Sequence, residues 1–168
     1  LGVEHDVPFH MGTLGKALGS NGAYVAGPRD LIQYLINTAR PFIFTTAPPP
    51  SSAAAASAAL AVIRRDPERR SRLWANRHRL YTGLQQRGFR LTDTVSPILP
   101  ILIGSAEQAL AFSEELLAHG VYAPAIRPPT VPDDTSRIRV TITSEHTTDH
   151  IDEALRAFEL AGRATGVL

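Results

Sequence analysis

Residues 12–19 read Gly12-Thr-Leu-Gly15-Lys16-Ala-Leu-Gly19, so one lysine lies in a turn that contains three glycines. Glycines at this density let a backbone approach a ligand closely. A phosphate-binding P-loop needs four residues between its first glycine and its Gly-Lys pair, and a Ser or Thr after the lysine. Ala17 follows Lys16, so that interpretation fails. Two interpretations stay open from these residues: a lysine that reacts with a carbonyl group, and an exposed lysine of an ordinary turn.

The overall composition is that of an ordinary globular protein. The chain has 168 residues, of which 43% are hydrophobic, and a formal net charge of +1. No apolar run approaches the ~20 residues that span a bilayer, and no cysteine is present for a disulfide or a cysteine metal site. We therefore expect a cytoplasmic protein with no membrane and no nucleic-acid partner. The arginines between Arg64 and Arg79 are interpreted as a solvated helix face.

The first half of the chain alternates short apolar runs with helical patterns. Hydrophobic periodicity and helix-start signals predict, in order, a strand at 22–27, a helix at 30–38, a strand at 42–46, and helices at 51–65 and 67–87. The strand at 42–46 is predicted from its aromatic and β-branched residues. Three consecutive prolines at 48–50 follow it and require a turn or linker.

The second half predicts a small α+β layer with helices on one sheet face. The expected elements are a strand at 98–103, a helix at 106–119 that begins with a capping box of Ser105 and Gln108, a strand at 121–126, a strand at 137–143 and a final helix capped by Thr147 or Thr148. Strict alternation at 137–143 places Ile138, Val140 and Ile142 in the core. Arg139 then lies on the opposite, polar face.

These elements predict three segments. Residues 1–50 are expected to be the tail of a large domain, 51–87 a pair of connecting helices, and 88–168 a small α+β domain. The sequence begins with Leu1, and the glycine-rich segment that contains Lys16 starts within a dozen residues of it. We therefore expect it to be a piece of something longer.

Five segments together resemble the α-oxoamine synthases, a family of fold-type I enzymes that use pyridoxal phosphate. They are Met11-Gly-Thr-Leu-Gly-Lys-Ala-Leu-Gly19, Gly22-Ala-Tyr-Val-Ala-Gly27, Arg40-Pro-Phe-Ile-Phe-Thr-Thr-Ala-Pro-Pro49, Ala125-Ile-Arg-Pro-Pro-Thr-Val-Pro132 and Ser136-Arg-Ile-Arg-Val-Thr-Ile-Thr-Ser-Glu-His146. The segments span essentially the whole chain in the expected order. The resemblance implies the C-terminal part of a fold-type I transferase, with a small α+β domain at its end.

The resemblance also implies roles for individual residues. Lys16 would bind pyridoxal phosphate covalently and later move the α-proton of an amino-acid substrate, and Thr13 would bond the cofactor phosphate. Thr46 and Thr45 would reach the phosphate of a neighbouring subunit, so a homodimer or higher homo-oligomer is implied. Arg139 would hold the substrate carboxylate, a task that suits a fork-shaped guanidinium.

The substrates implied are an amino acid and an acyl thioester. The loop Arg127-Pro-Pro-Thr-Val-Pro132 favours the branch that condenses alanine with a pimeloyl thioester, with decarboxylation, in biotin synthesis. Two alternatives stay open. One is a glycine-using relative, such as 5-aminolevulinate synthase or 2-amino-3-ketobutyrate CoA ligase, and the other is a non-catalytic α+β dimerisation domain.

Two further expectations concern what the chain lacks. His146 and His150 are four residues apart, but no third ligand has convincing spacing, so we expect a capping or surface role and no metal site. Full-length members of the family place a cofactor-stacking aromatic residue, a pyridine-pairing Asp and a glycine-rich phosphate turn before the lysine. None is present here, so we expect the isolated chain to lack activity.

Overall fold

A computed structural model describes residues 2–92 and 94–168. The chain forms two compact units that meet between Pro67 and Glu68. The predicted connecting segment 51–87 is therefore divided, with its first helix in the first unit and its second helix in the second unit. The physical reason is packing, because the second helix buries Leu80 and Leu84 in the core of the second unit.

The first unit consists of a short hairpin and three helices. After a single 3-10 turn at Glu4–Asp6 come β1 (His10–Thr13), β2 (Ala23–Ala26), α1 (Arg29–Thr38), α2 (Arg40–Ile43) and α3 (Pro50–Arg65). β1 and β2 pair antiparallel, with Gly12 opposite Tyr24 and Thr13 opposite Ala23. The predicted strand at 22–27 and the helices at 30–38 and 51–65 are confirmed within two residues.

The predicted strand at 42–46 is wrong. Residues 40–43 form the short helix α2, and the backbone N–H of Phe44 donates to the Arg40 carbonyl at 3.0 Å. Pro41 sits in the first turn of this helix, where its missing N–H leaves no helical hydrogen bond unmade. The Arg40 guanidinium also lies 5.3 Å from the centre of the Phe44 ring. Local bonding of this kind wins over strand propensity because the segment has no neighbouring strand in the sheets described.

The second unit packs three helices with a three-stranded sheet. Its elements are α4 (Glu68–Gln86), β3 (Ile98–Gly104), α5 (Ala106–Ala118), β4 (Ala125–Ile126), β5 (Ser136–Thr141) and α6 (Thr148–Ala164). The strand order is β3-β5-β4, and both pairings are antiparallel. The predicted order of strand, helix, strand, strand and helix is confirmed.

Two local predictions in this unit need correction. The strand expected at 121–126 shrinks to Ala125–Ile126, because the N–H of Val121 instead closes the end of α5 by donating to Leu116 at 2.8 Å. The capping box is only half formed. Ser105 accepts from the N–H of Gln108, but the Gln108 side chain donates to the carbonyls of Thr165 and Gly166, both at 3.1 Å.

The core of the second unit is continuous and aromatic at its centre. Phe89, Phe112 and Phe158 have ring centres 5.9 to 6.0 Å apart, two of the three pairs meeting edge to face. Ile138, Val140 and Ile142 are buried as their alternation predicted. The first unit contrasts with this, because Ala56 is the one residue there classed as buried among those described.

Candidate active site

Lys16 lies in the loop that joins β1 to β2. Three backbone hydrogen bonds close this loop: Leu14 N–H to Gly22 at 2.9 Å, Ser20 N–H to Leu14 at 2.9 Å and Gly19 N–H to Lys16 at 3.0 Å. Gly19 and Gly22 have φ values of +56° and +107°. A side chain at either position would be strained. The glycines therefore allow the loop to fold back on itself and hold the lysine at its tip.

A third glycine makes room inside the hairpin. A Cβ added at Gly12 would lie 2.7 Å from three atoms of the Tyr24 side chain, which faces it across the two strands. Any side chain at this position would push the Tyr24 ring away. The tyrosine can therefore lie directly against the strand that leads into the lysine loop.

The Lys16 amine has one hydroxyl within reach. Its Nζ lies 3.4 Å from Oγ1 of Thr13, and both side chains are exposed. Lys16 is also the chain's only lysine, beside sixteen arginines. A guanidinium stays protonated and cannot act as a nucleophile, whereas an amine can. The presence of a single lysine among many arginines therefore supports a reactive role for Lys16, independently of the glycine-rich motif around it.

Thr45 and Thr46 follow α2 in the same unit. Both are exposed, and neither side chain forms a hydrogen bond with any residue that the structure describes. Two unpaired hydroxyls before a triple proline are free to bond an external acceptor. Their predicted role at a neighbouring subunit stays a prediction.

Arg139 lies in the second unit, in the middle of β5. Its N–H donates to Pro124 at 3.0 Å, and its side chain is exposed. Within the described residues, no partner binds its guanidinium. Arg137 lies two residues earlier on the same face, but its Nε donates to the Thr135 carbonyl at 2.9 Å. The two arginines therefore differ, since one is tied to its own chain and the other is available to a ligand.

His146 and His150 serve the start of α6. Thr147 is its N-cap, and Thr147 and His150 form a reciprocal capping box, with the Thr147 N–H donating to His150 Nδ1 at 3.3 Å. The predicted capping role of His150 is confirmed. Burial, and next the nearby His150, lower the pKa of His146. Over residues 2–92 and 94–168 no group of three His, Cys, Asp or Glu is arranged to hold a metal ion.

A cavity of about 460 Å³ opens in the second unit beside this cap. Leu80, Val140 and Phe158 form apolar walls, and His119, His146 and His150 also line it. None of the residues predicted to bind the cofactor or the substrate lines it. None of the helices in residues 2–92 and 94–168 combines the length and the hydrophobicity that a membrane span requires.

The family model for class I and II aminotransferases matches residues 1–158. The chain belongs to this family. The 8-amino-7-oxononanoate synthase of Anaeromyxobacter dehalogenans, strain 2CP-C, is 49% identical over 157 residues, which cover 94% of this chain and 40% of that protein. The chain thus spans about 40% of the length of this curated relative.

Solved structures of two related enzymes are similar to this chain in both sequence and fold. A high-resolution structure of SPT with a PLP internal aldimine is 37% identical to this chain and has a TM-score of 0.94. The match covers 99% of this chain and 42% of the SPT chain. The solved structure of the 8-amino-7-oxononanoate synthase of Francisella tularensis is 28% identical to this chain and has a TM-score of 0.80. That match covers 93% of this chain and 46% of the synthase chain. The fold-type I transferase fold and the resemblance to α-oxoamine synthases are confirmed.

The residues of the first unit fit the cofactor that the SPT structure contains. Pyridoxal phosphate offers an aldehyde, which a primary amine can bind, and a phosphate, which accepts hydrogen bonds. Lys16 supplies the amine, and Thr13 supplies a hydroxyl 3.4 Å away. The glycines around them leave the loop open to an approaching ligand. The chemistry of these donors therefore matches the cofactor predicted from sequence.

Proposed function

We propose that this chain carries the reactive lysine and the carboxylate-binding arginine of a PLP-dependent acyltransferase. The reaction is the condensation of alanine with a pimeloyl thioester, with decarboxylation, in biotin synthesis. The observation that supports it most is the chain's single lysine at the tip of a glycine-lined loop, 3.4 Å from a threonine hydroxyl. The 49% identity to an 8-amino-7-oxononanoate synthase supports the choice of substrates.

The chain's own groups would divide the chemistry among them. Pyridoxal phosphate, when bound, supplies an electron sink that acidifies the Cα–H bond of the amino acid. Lys16 would hold the cofactor through its ε-amine, and the same amine would then take and return the proton at the substrate Cα. The Thr13 hydroxyl would donate to the cofactor phosphate. A neutral amine is required for both lysine tasks, so the working enzyme must shield this loop from water.

Arg139 would fix the amino acid by its carboxylate. Its side chain projects from a strand held on both sides by β3 and β4, so the guanidinium has a rigid base. Two parallel N–H···O bonds orient a carboxylate as well as binding it. Arg137 is unsuited to this role because its Nε is already bonded to Thr135.

The proposal includes a second subunit in a cytoplasmic homodimer. The exposed hydroxyls of Thr45 and Thr46 would reach the cofactor phosphate of the neighbouring site. Exposed apolar side chains nearby, such as Phe42 at 62% and Phe44 at 74% exposure, supply surface for such a contact. The 168-residue chain alone is then expected to associate, which light scattering would show as a mass above the monomer's 18.2 kDa.

A second candidate function comes from the structural similarity to SPT. The TM-score of the SPT structure is 0.94, which exceeds the 0.80 of the Francisella synthase. Related enzymes of one fold take different amino acids and acyl chains, so overall shape does not decide between them. Serine with a palmitoyl thioester is therefore the competing substrate pair. The glycine-using relatives form a third.

One assay separates these candidates. The complete gene product that contains this sequence is supplied with pyridoxal phosphate and with alanine, serine or glycine, each beside pimeloyl-, palmitoyl-, succinyl- or acetyl-CoA. Release of free CoA and the product mass are recorded. Alanine with pimeloyl-CoA should give the highest kcat/KM. Preference for another pair would replace the substrate assignment, and no turnover with any pair would favour the non-catalytic dimerisation domain.

A parallel assay of the 168-residue chain alone should give no turnover. Its Lys16 and Thr13 are exposed to water, so the amine lacks the shielding that the reaction requires. Turnover by the isolated chain would contradict this part of the proposal.

A further inference from the structure

Ser20 links the loop that carries Lys16 to a helix distant in sequence. Lys16 and its neighbours Gly15 and Ala17 are exposed, whereas Ser20 is half-buried. Its hydroxyl donates to the carbonyl of Ser52 at 2.7 Å, across 32 residues of sequence. No other side chain of the loop forms a described hydrogen bond with α3.

The acceptor of this bond is well placed to serve as a fixed point. Ser52 lies in the first turn of α3, a helix of 16 residues, and a helical carbonyl keeps a second lone pair beside its intrahelical bond. Four residues further along the same helix is Ala56, the buried residue of the first unit. The bond therefore ties the loop to the first turn of α3, about one helical turn before that buried residue.

The same residue also closes the loop through its backbone. The Ser20 N–H donates to Leu14 at 2.9 Å, and the turn between those two residues contains Lys16. Ser20 thus holds the closing end of the lysine turn with its N–H and anchors it to α3 with its hydroxyl.

We propose that Ser20 is the positioning residue that sets the place of the Lys16 amine, by fastening the lysine turn to the first turn of α3. It touches neither substrate nor cofactor, and acts through the turn. This inference rests on the proposed function, because a set position matters only if Lys16 reacts with a bound partner. Reaction rates depend steeply on such placement.

The test compares three substitutions in the complete gene product. Ser20→Ala removes the hydroxyl, Ser20→Thr keeps one, and Ser57→Ala is the matched control, since Ser57 is exposed on the same helix. The apoprotein is mixed with pyridoxal phosphate, reduced with borohydride at set times, and digested. Mass spectrometry of the Lys16 peptide then gives a trapping rate. Acetylation by acetic anhydride, followed on the same peptide across pH, measures the amine's reactivity without a positioned partner.

Ser20→Ala should slow trapping by pyridoxal phosphate about fivefold, the population change that loss of one net hydrogen bond produces. Its acetylation profile should stay within about twofold of the wild type, because acetic anhydride is small and reacts with the amine without requiring a set position. Ser20→Thr should restore trapping, and Ser57→Ala should leave it unchanged. Equal trapping in Ser20→Ala and wild type would overturn the inference and leave the proposed function standing. Absence of trapping at Lys16 in the wild type would overturn both.

Discussion

The two units of the chain differ in how much apolar core they bury. The second unit buries a continuous core around Phe89, Phe112 and Phe158, whereas the first leaves nearly all of its described apolar side chains partly or fully exposed. Yet Lys16, Thr13 and the hydroxyls of Thr45 and Thr46 all lie in the first unit. The proposed reactive amine therefore lies on the unit with the smaller core, and Arg139, the proposed carboxylate ligand, on the unit with the larger core.

The largest expected effect falls on the chemical side of this contrast. Lys16→Ala in the complete gene product should lower kcat by about 10³-fold or more, because the proposed function gives this amine both the binding of the cofactor and the transfer of the proton. Its urea midpoint should scarcely change, since the one described hydrogen bond of the Lys16 amine is a 3.4 Å contact with Thr13 and the side chain makes no core contact in its unit. Steady-state kinetics and urea unfolding check both parts. Normal turnover in this variant would refute the assignment.

The next effect falls on stability and concerns phenylalanines in the two units. Phe158→Ala removes a fully buried ring and should cost roughly 3 to 5 kcal/mol of unfolding free energy. Phe9→Ala, in the first unit and outside the proposed subunit contact, removes a ring that is 58% exposed and should cost less than about 1 kcal/mol in the 168-residue chain. Urea titration followed by circular dichroism measures both. Similar losses would show that the first unit has a core of its own.

A smaller effect separates two neighbouring arginines. Arg139→Ala should raise the KM for the amino acid about 10- to 100-fold, the worth of a charge-assisted bidentate contact, and leave cofactor binding intact. Arg137→Ala is the matched control on the same strand face, and its KM should change less than about threefold. Equal effects of the two variants would contradict the carboxylate role, and lost cofactor absorbance would indicate structural damage.

The smallest effect is a pH dependence of the second unit. Burial and His150 lower the pKa of His146, so the folded state favours the neutral ring. The resulting stability is present above the unfolded value of about 6.5 and is lost as the pH falls through the lowered folded pKa. His146→Gln should remove this dependence. Thermal melts at pH 7.5 and 5.5 should show a Tm decrease of roughly 2 °C or less, absent in the variant; a steeper decrease in the variant would contradict it.

The sequence predicted those features that depend on neighbouring residues and missed those that depend on partners distant in the chain. The buried residues Ile138 and Val140 of β5, and Ile142 just after it, were predictable because alternation is visible in consecutive residues. The short helix at Arg40–Ile43 was not, because strand propensity says nothing about whether a partner strand is near. Gln108 and Ser20 were also missed in their actual roles, since their partners lie 57 and 32 residues away.

The site divides in the same way. Lys16, Thr13 and Arg139 came from motifs and a resemblance, and the structure adds which of them have free side chains. It distinguishes Arg139 from Arg137 by one hydrogen bond to Thr135. That distinction depends on a backbone turn at Pro132–Thr135, where two bonds hold Thr135 to the Pro132 carbonyl. No periodicity in the sequence predicts such a contact.

We propose Lys16 as the reactive amine of this protein. The most direct test of this proposal is to bind pyridoxal phosphate to the complete gene product, reduce with borohydride, and locate the modified residue by peptide mass mapping, beside a Lys16→Arg variant. We predict a single modified site at Lys16, with neither the modification nor the cofactor's absorbance band in the variant. Modification of a different amine as the main product, or an unchanged absorbance band in Lys16→Arg, would show that Lys16 is not the reactive amine.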